Sequence, residues 1–293
     1  MKPRRIAHKI WTSSPKEWVE RARRMTKLAS RDAVEVKRYV WCLSTGRVGT
    51  QTLAALAGMV DGVDARHEPT PKLYGLSKLS YELGSERAGQ KTICEALRSC
   101  RPPVKSKHKE VYLEASPQGT FLAEALRELF PQSRFIHLVR HPGDVMRSGM
   151  RRGWYVDHAN DPWRITPQDG GQAAAWGSWS TLEKNAWLWA ETNRWIGEFM
   201  GSLPPGDGLT IRSEELFSAH SEVIGSFFNH LGVAQPSSHR IERILGHRLN
   251  SQKAGEAGEY PKFSDWSAEE IQMVESHAGE LMQQLGYSNL SPE

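Results

Sequence analysis

Apolar residues along this chain gather in short runs, and glycine or proline breaks separate one run from the next. The run Tyr39, Val40, Trp41, Cys42, Leu43 predicts a strand over Arg38 to Leu43. The Ala/Leu pattern from Thr50 to Met59 predicts a helix after it, with the glycine-bearing segment STGRVGT between the two. VDARHEPTP reads as short and extended, because Pro69 and Pro71 forbid a long helix there. Residues 72 to 101 are polar with a largely helical pattern that breaks at RPPVKSK. EVYLEAS predicts another strand; Pro117 and Gly119 end it before a helix over Phe121 to Phe130, and RFIHLVR predicts the strand that follows. Such alternation calls for crossover connections and a parallel sheet.

Other stretches read differently. Residues 1 to 37 mix Trp11 and Trp18 with many basic residues at a weak helical period, which predicts a helical extension outside the core. Residues 154 to 180 carry Trp154, Tyr155, Trp163, Trp176 and Trp179 among Gly, Asp and Pro, and read as a long functional loop. A helix of about 25 residues bearing Trp187, Trp189 and Trp195 follows. A last core strand lies in GLTIRSEEL, and helices then run to LGV and LMQQLGY. The expected architecture is a single α/β domain over residues 38 to 293, a central parallel sheet flanked by helices, behind the extension 1 to 37.

Composition narrows the class. Hydrophobic residues at 39% and charged residues at 25% are an ordinary soluble globular balance. The net charge of +4 is mild, but basic residues cluster at Arg4, Arg5 and Lys9, at Arg21, Arg23, Arg24 and Lys27, and at Arg147, Arg151 and Arg152. That favours small anionic ligands over nucleic acid. Cys42, Cys94 and Cys100 form neither a CxxC pair nor an even framework, so neither metal nor disulfide is expected and a reducing compartment fits. No run approaches the roughly 18 apolar residues of a spanning helix, and the N-terminus lacks the apolar stretch of a signal peptide, so the expected location is the cytoplasm.

Two segments have the makings of anion sites. In Arg47, Val48, Gly49, Thr50, Gln51 and Thr52, glycine lets the backbone approach a phosphate, successive amides point at its oxygens, and Arg47 adds a charge-assisted contact. The same pattern also suits a plain strand-to-helix turn. It is not the standard nucleotide loop, because the basic residue precedes the last glycine and no Ser/Thr follows a lysine to hold magnesium. In the second segment Arg140 ends a predicted parallel strand, where open α/β sheets bind ligands. Pro142 suits a first helical position, and Ser148 and Arg151 then share a helix face. The competing reading pairs Arg140 with Asp144 and leaves Arg147, Arg151 and Arg152 as a solvated basic face.

Taken together, LSTGRVGT resembles the 5′-phosphosulfate loop of sulfotransferases, and LVRHPGDVMRS resembles their 3′-phosphate motif, with His141 where the family usually has Asp. IRSEELFSAHSEVIGSFFNHLGV is more loosely similar to the family's late strand and helix, and Trp266 through LMQQLGY to its closing helix, so the likeness runs in order over residues 38 to 287. The resemblance implies a P-loop-type α/β fold, 3′-phosphoadenosine 5′-phosphosulfate (PAPS) as donor, adenosine 3′,5′-bisphosphate (PAP) as product, and no metal. It implies that residues 47 to 52, Arg140 and Ser148 hold the donor, with Arg47 also stabilising the leaving phosphate.

For the base, family members acting on sugars or on peptide tyrosine use a glutamate shortly after the helix behind the phosphate loop. Glu68 stands in the matching place, with His67 as the fallback. Alternation on an extended chain sends these two to opposite faces, so only one is expected to reach the acceptor. A surface Glu68 paired with Arg66 or Lys72 is the competing reading. The family's late basic loop over the 3′-phosphate is matched by NSQKAGEAGEYPKFSDW through Lys253. Glu114, Ser116 and Pro117 lie where members often carry a Lys near Ser-Pro; no Lys is present, so no role is implied.

Trp154 and Trp163 are the aromatics expected to touch an acceptor, while helical spacing puts Trp187 and Trp195 in the core. The expected function is sulfuryl transfer to a hydroxyl, with a carbohydrate or glycolipid acceptor ahead of a peptide or small aromatic metabolite. An ATP-dependent P-loop kinase is the rival enzyme, and a non-catalytic nucleotide- or anion-binding module is the rival from another class.

Overall fold

The computed structural model describes residues 34–84, 87–246 and 259–287; most of the expected N-terminal helix, and residues 250–258 of the late loop with Lys253, lie outside the described residues. The strands are Val34–Glu35 (β1), Arg38–Leu43 (β2), Val63–His67 (β3), Lys105–Ser106 (β4), Val111–Ala115 (β5), Ser133–Val139 (β6) and Gly208–Arg212 (β7). β1 pairs antiparallel with β4, so residues 34 and 35 of the predicted extension are strand and not helix; Val36 is buried behind them. The other five form one parallel sheet in the order β3-β5-β2-β6-β7.

The helices are Thr50–Ala57 (α1), Tyr74–Leu83 (α2), Arg87–Cys100 (α3), Ala123–Leu129 (α4), Pro142–Met150 (α5), Gly170–Ala175 (α6), Thr181–Gly201 (α7), Ser213–Phe217 (α8), Ser221–Leu231 (α9), Ser238–Leu245 (α10) and Ala268–Gln284 (α11). They cover both sheet faces, which explains why β2 is an unbroken apolar run. Val40 and Cys42 enter one core with α1, α5 and α9, while Tyr39, Trp41 and Leu43 enter a second core with α3 and α4.

The predicted elements shift at their ends, each for a local reason. The helical stretch 72 to 101 divides into α2 and α3 at Gly84, whose φ of 56° is left-handed. The helix expected from Phe121 starts earlier, as a 3₁₀ turn over Pro117–Leu122, where the Ser116 hydroxyl accepts from the Gln118 amide at 3.3 Å. α7 runs 21 residues from a capping box made by Ser180 and Glu183. The segment 154 to 180 holds a 3₁₀ turn over Asp161–Trp163 and the short α6.

β2 leads through α1 toward β3 on one side of the sheet, whereas β6 leads toward β7 on the other. The crevice outside the carboxyl ends of β2 and β6 is therefore the topological switch point, where open α/β sheets bind ligands.

Candidate functional site

The β2–α1 loop has an unusual backbone. Gly46, Arg47 and Gly49 all have positive φ, at 83°, 63° and 97°. At Gly49 a Cβ would also sit 2.3 Å from Phe217 Cζ, so conformation and packing both demand glycine. Thr120 Oγ1 fixes the loop by accepting from the Ser44 amide at 3.0 Å and donating to the Ser44 carbonyl at 2.9 Å. No side chain caps α1, so the amides of Thr50, Gln51 and Thr52 are left for another acceptor, and these residues line a large cavity. α7 and α11, by contrast, fill their first amides with capping boxes.

Across the crevice, Arg140 Nη2 donates to Asp144 Oδ2 at 2.7 Å and Arg140 Nη1 to the Arg47 carbonyl at 3.3 Å. The ion pair and the place in the cavity, weighed as alternatives from sequence, coexist. Ser148 Oγ accepts from Arg47 Nε at 3.0 Å, which ties the two predicted anion segments together. His141, standing where the resemblance expects Asp, caps α5 by accepting from the Gly143 amide at 3.2 Å, with its ring stacked on Phe263. Burial holds its pKa below the usual histidine value, which keeps that ring nitrogen an acceptor. The basic run at the end of α5 and just past it is not a solvated face: Arg147, Arg151 and Arg152 all line the cavity, and Arg147 Nε reaches the carbonyls of Tyr260 and Pro261 at 3.0 and 3.1 Å.

The expectation for His67 and Glu68 needs correcting. They do not diverge; both line the same cavity, with His67 Nε2 3.8 Å from Glu68 Oε1. The reason is backbone: Glu68 takes φ 43°, which ends β3 and breaks the alternation of an extended strand. Its Oε2 accepts from Gln118 Nε2 at 3.1 Å and from Tyr74 Oη and Lys72 Nζ, both at 3.3 Å. Lys72 is thus a partner, as the competing reading had it, whereas Arg66 pairs with Asp64 instead. His67 Nε2 is 3.1 Å from Thr50 Oγ1. Burial first, then the charges of Lys72 and Arg47, depress its pKa against the pull of Glu68, so the ring is neutral at pH 7.

Beneath this turn lies a buried ion pair. Arg101 meets both carboxylate oxygens of Glu114, at 2.7 and 2.9 Å, and Tyr112 Oη donates to the same carboxylate. Arg101 also donates to the carbonyls of Pro71 and Pro69, so the guanidinium grips the turn just past Glu68. Gln118 closes the network by accepting from the Leu73 amide at 2.6 Å.

The cavity has a volume of about 770 Å³, ample for a nucleotide and part of an acceptor. Seven basic side chains line it, Arg47, Lys78, Arg140, Arg147, Arg151, Arg152 and Arg164, against the carboxylates of Glu68 and Asp144. Burial, followed by the like charges of Arg152 and Arg140, pulls the Arg47 guanidinium down to about 10, with Glu68 opposing. It remains charged at pH 7, in a cleft short of anions. Trp163 forms part of the wall; Trp154 lines it too but is only 5% exposed, with the Arg164 guanidinium 4.0 Å over its ring. Trp187 and Trp195 pack into the core, as their spacing predicts.

Sequence reasoning missed Tyr74, Gln118, His158 and Phe217, all of which line the cavity. Phe217 follows the last strand in IRSEELF, an aromatic at a strand's carboxyl end, and that was the signal to follow. Among the described residues there is no group of His, Cys, Asp or Glu able to hold a metal, and no helix long and apolar enough to cross a membrane.

The sulfotransferase family model matches residues 52–237. A crystal structure of a sulfotransferase from Mycobacterium avium superposes with a TM-score of 0.52 at 10% identity, covering 94% of this chain and 84% of its own. One from Mycobacterium tuberculosis superposes with a TM-score of 0.50 at 12% identity, covering 89% of this chain and 81% of its own. At such identities the likeness is one of fold. No curated protein sequence matches the chain.

Proposed function

The chain belongs to the sulfotransferase family, and from that premise we propose that it carries a sulfuryl group from PAPS to a hydroxyl of a carbohydrate or glycolipid acceptor, releasing PAP. The observation that carries this reading is the cluster at the switch point. The uncapped start of α1 and Arg47 are linked by Ser148 and Arg140 to a second cationic position, all in one cavity with Glu68 on the facing wall. Two cationic positions in one cavity, joined through Ser148 and Arg140, suit a donor with phosphates at both the 5′ and 3′ positions.

Under this reading the amides of residues 50 to 52 and Arg47 hold the 5′ end, and Arg140 with Ser148 holds the 3′-phosphate. Phe217, partly exposed against Gly49, offers a face for the base. When bound, PAPS supplies an activated sulfur whose bond to the bridging phosphate oxygen breaks as the acceptor oxygen bonds to it. The chain's own contributions are three. Arg47 and the α1 amides stabilise the electron pair left on the departing phosphate. Glu68 takes the acceptor's proton, presenting Oε1 while Lys72, Tyr74 and Gln118 hold Oε2. The cavity wall from Tyr74 to Trp163 orients the acceptor in line.

A thermal-shift comparison tests the donor. PAP without metal is expected to stabilise the protein by about 2.7 kcal/mol at a hundredfold excess over its Kd. ATP with magnesium is expected to do less. Equal or greater stabilisation by ATP-magnesium transfers the assignment to a kinase. Tight PAP binding without turnover on any acceptor, whether sugar, peptide or small metabolite, makes the chain a binding module.

A further inference from the structure

Thr50 opens α1, and its hydroxyl stands beside the amides that no side chain caps. It is 5% exposed yet lines the cavity, and among the described residues its hydroxyl has one hydrogen-bond partner, His67 Nε2 at 3.1 Å. A hydroxyl has one hydrogen to give and lone pairs to receive. Whether that hydrogen goes to His67 or into the cavity therefore depends on which imidazole nitrogen carries the proton.

The surroundings of Nε2 decide it. Glu68 Oε1 lies 3.8 Å from the same nitrogen. A bare Nε2 would turn its lone pair toward a carboxylate, whereas an Nε2–H is attracted to both oxygens. Nδ1 makes no hydrogen bond among the described residues that would hold the proton there. Burial, with the charges of Lys72 and Arg47, keeps the ring neutral, so there is a single N–H to place. It belongs on Nε2, where it is donated to Thr50 Oγ1. The Thr50 hydrogen is then left without an acceptor in the chain, at a helix start whose first amides are also unmet.

We propose that His67 is a positioning residue for Thr50: its Nε2–H fixes the hydroxyl so that Thr50 O–H donates to the anion held at the start of α1. The proposal rests on the donor reading above and deepens it. It gives the departing phosphate a hydroxyl donor beside Arg47, and it takes His67 out of competition for the acceptor's proton. The acceptor oxygen bonds to sulfur as the bond from sulfur to the phosphate oxygen breaks, and the phosphate oxygen keeps the electron pair. Thr50 O–H, already aimed, strengthens its hydrogen bond as that charge grows. The acceptor's proton goes to Glu68, while His67 and Thr50 keep theirs.

Two measurements test this. Imidazole nitrogen NMR on the nucleotide-free protein at pH 7 is expected to show His67 protonated on Nε2 and bare on Nδ1; the opposite tautomer overturns the proposal. Calorimetry then compares PAP with adenosine 3′-monophosphate, which lacks the 5′-phosphate. His67→Leu and Thr50→Val are each expected to weaken PAP roughly tenfold, and the double variant no more than the worse single one. His67→Gln offers an amide N–H to Thr50 but cannot act as a base. It is expected to regain most of the His67→Leu loss, in PAP affinity and in single-turnover rate alike. Adenosine 3′-monophosphate is expected to bind every variant within about twofold of wild type. Losses that multiply in the double variant, no rescue by His67→Gln, or equal weakening of adenosine 3′-monophosphate overturns the proposal. A collapsed rate in His67→Gln with PAP affinity intact also overturns it, by making His67 the base. Failure of the donor reading shows itself separately, as wild type that PAP does not bind.

Discussion

Arg101 and Arg47 are both guanidinium groups withdrawn from water beside the same sheet, and the chain treats them oppositely. Arg101, 7% exposed, finds acceptors for its donors within the chain: both oxygens of Glu114 and the carbonyls of Pro69, Pro71 and Cys100. Arg47 makes one side-chain hydrogen bond among the described residues, to the Ser148 hydroxyl, and has Arg140 and Arg152 as neighbours. A charge satisfied from inside is framework, because removing either partner leaves the other stranded in low dielectric. A group of charges left unsatisfied marks a place where the missing anion comes from outside. Glu68 sits where the two regions meet. Arg101 and Gln118 secure its turn from below, and its carboxylate faces the cations of the cavity.

The largest expected effect falls at that meeting point. Glu68→Gln keeps shape and hydrogen bonding but loses basicity, so single-turnover rates with labelled PAPS should fall by roughly 10² to 10⁴ while PAP affinity hardly moves. His67→Ala should cost far less. A collapse in the His67 variant with normal rates for Glu68→Gln reverses the assignment. Loss of PAP binding in Glu68→Gln makes Glu68 part of the framework and erases the boundary between the two regions.

Next comes the framework itself. Glu114→Gln strands Arg101 and is expected to destabilise the protein by about 3 to 5 kcal/mol. That corresponds to a fall in Tm on the order of 10 °C. The variant that remains folded below its Tm should bind PAP as wild type does. A normal Tm with weakened PAP binding places Arg101 and Glu114 in the site and not beneath it.

The smallest effect sharpens the contrast from the other side. Arg140→Ala should weaken PAP by about 2 to 5 kcal/mol, and adenosine 5′-phosphosulfate, which lacks the 3′-phosphate, much less. Its Tm without ligand should change by no more than about 0.5 kcal/mol in equivalent stability, because its ion pair with Asp144 is a third exposed. Equal losses for both nucleotides by calorimetry assign Arg140 to the other phosphate, and a large drop in unliganded Tm makes it framework.

Much of this molecule is written locally. The apolar runs of β2, β5 and β6 predict their own burial on both faces, and their alternation with helical stretches predicts the parallel sheet. The loop before α1 is legible too, because the glycine it needs for a left-handed turn is in the sequence. The position of the crevice follows once Arg140 is placed at a strand's carboxyl end.

Tertiary structure alone decided the facing of side chains at chain reversals. Glu68 joins His67 in the cavity because its φ of 43° overrides strand alternation. That turn is gripped by Arg101 more than 30 residues away, which a period of two cannot encode. Composition marks the basic run that begins on α5 as suited to anions but not what each member touches: Arg147 is drawn to carbonyls 113 and 114 residues later, and Arg152, just past the helix, ends with a buried donor unpaired. Periodicity assigns a face relative to the neighbouring turn. Which face meets solvent, which meets framework and which is left wanting a ligand depends on what distant segments bring to it.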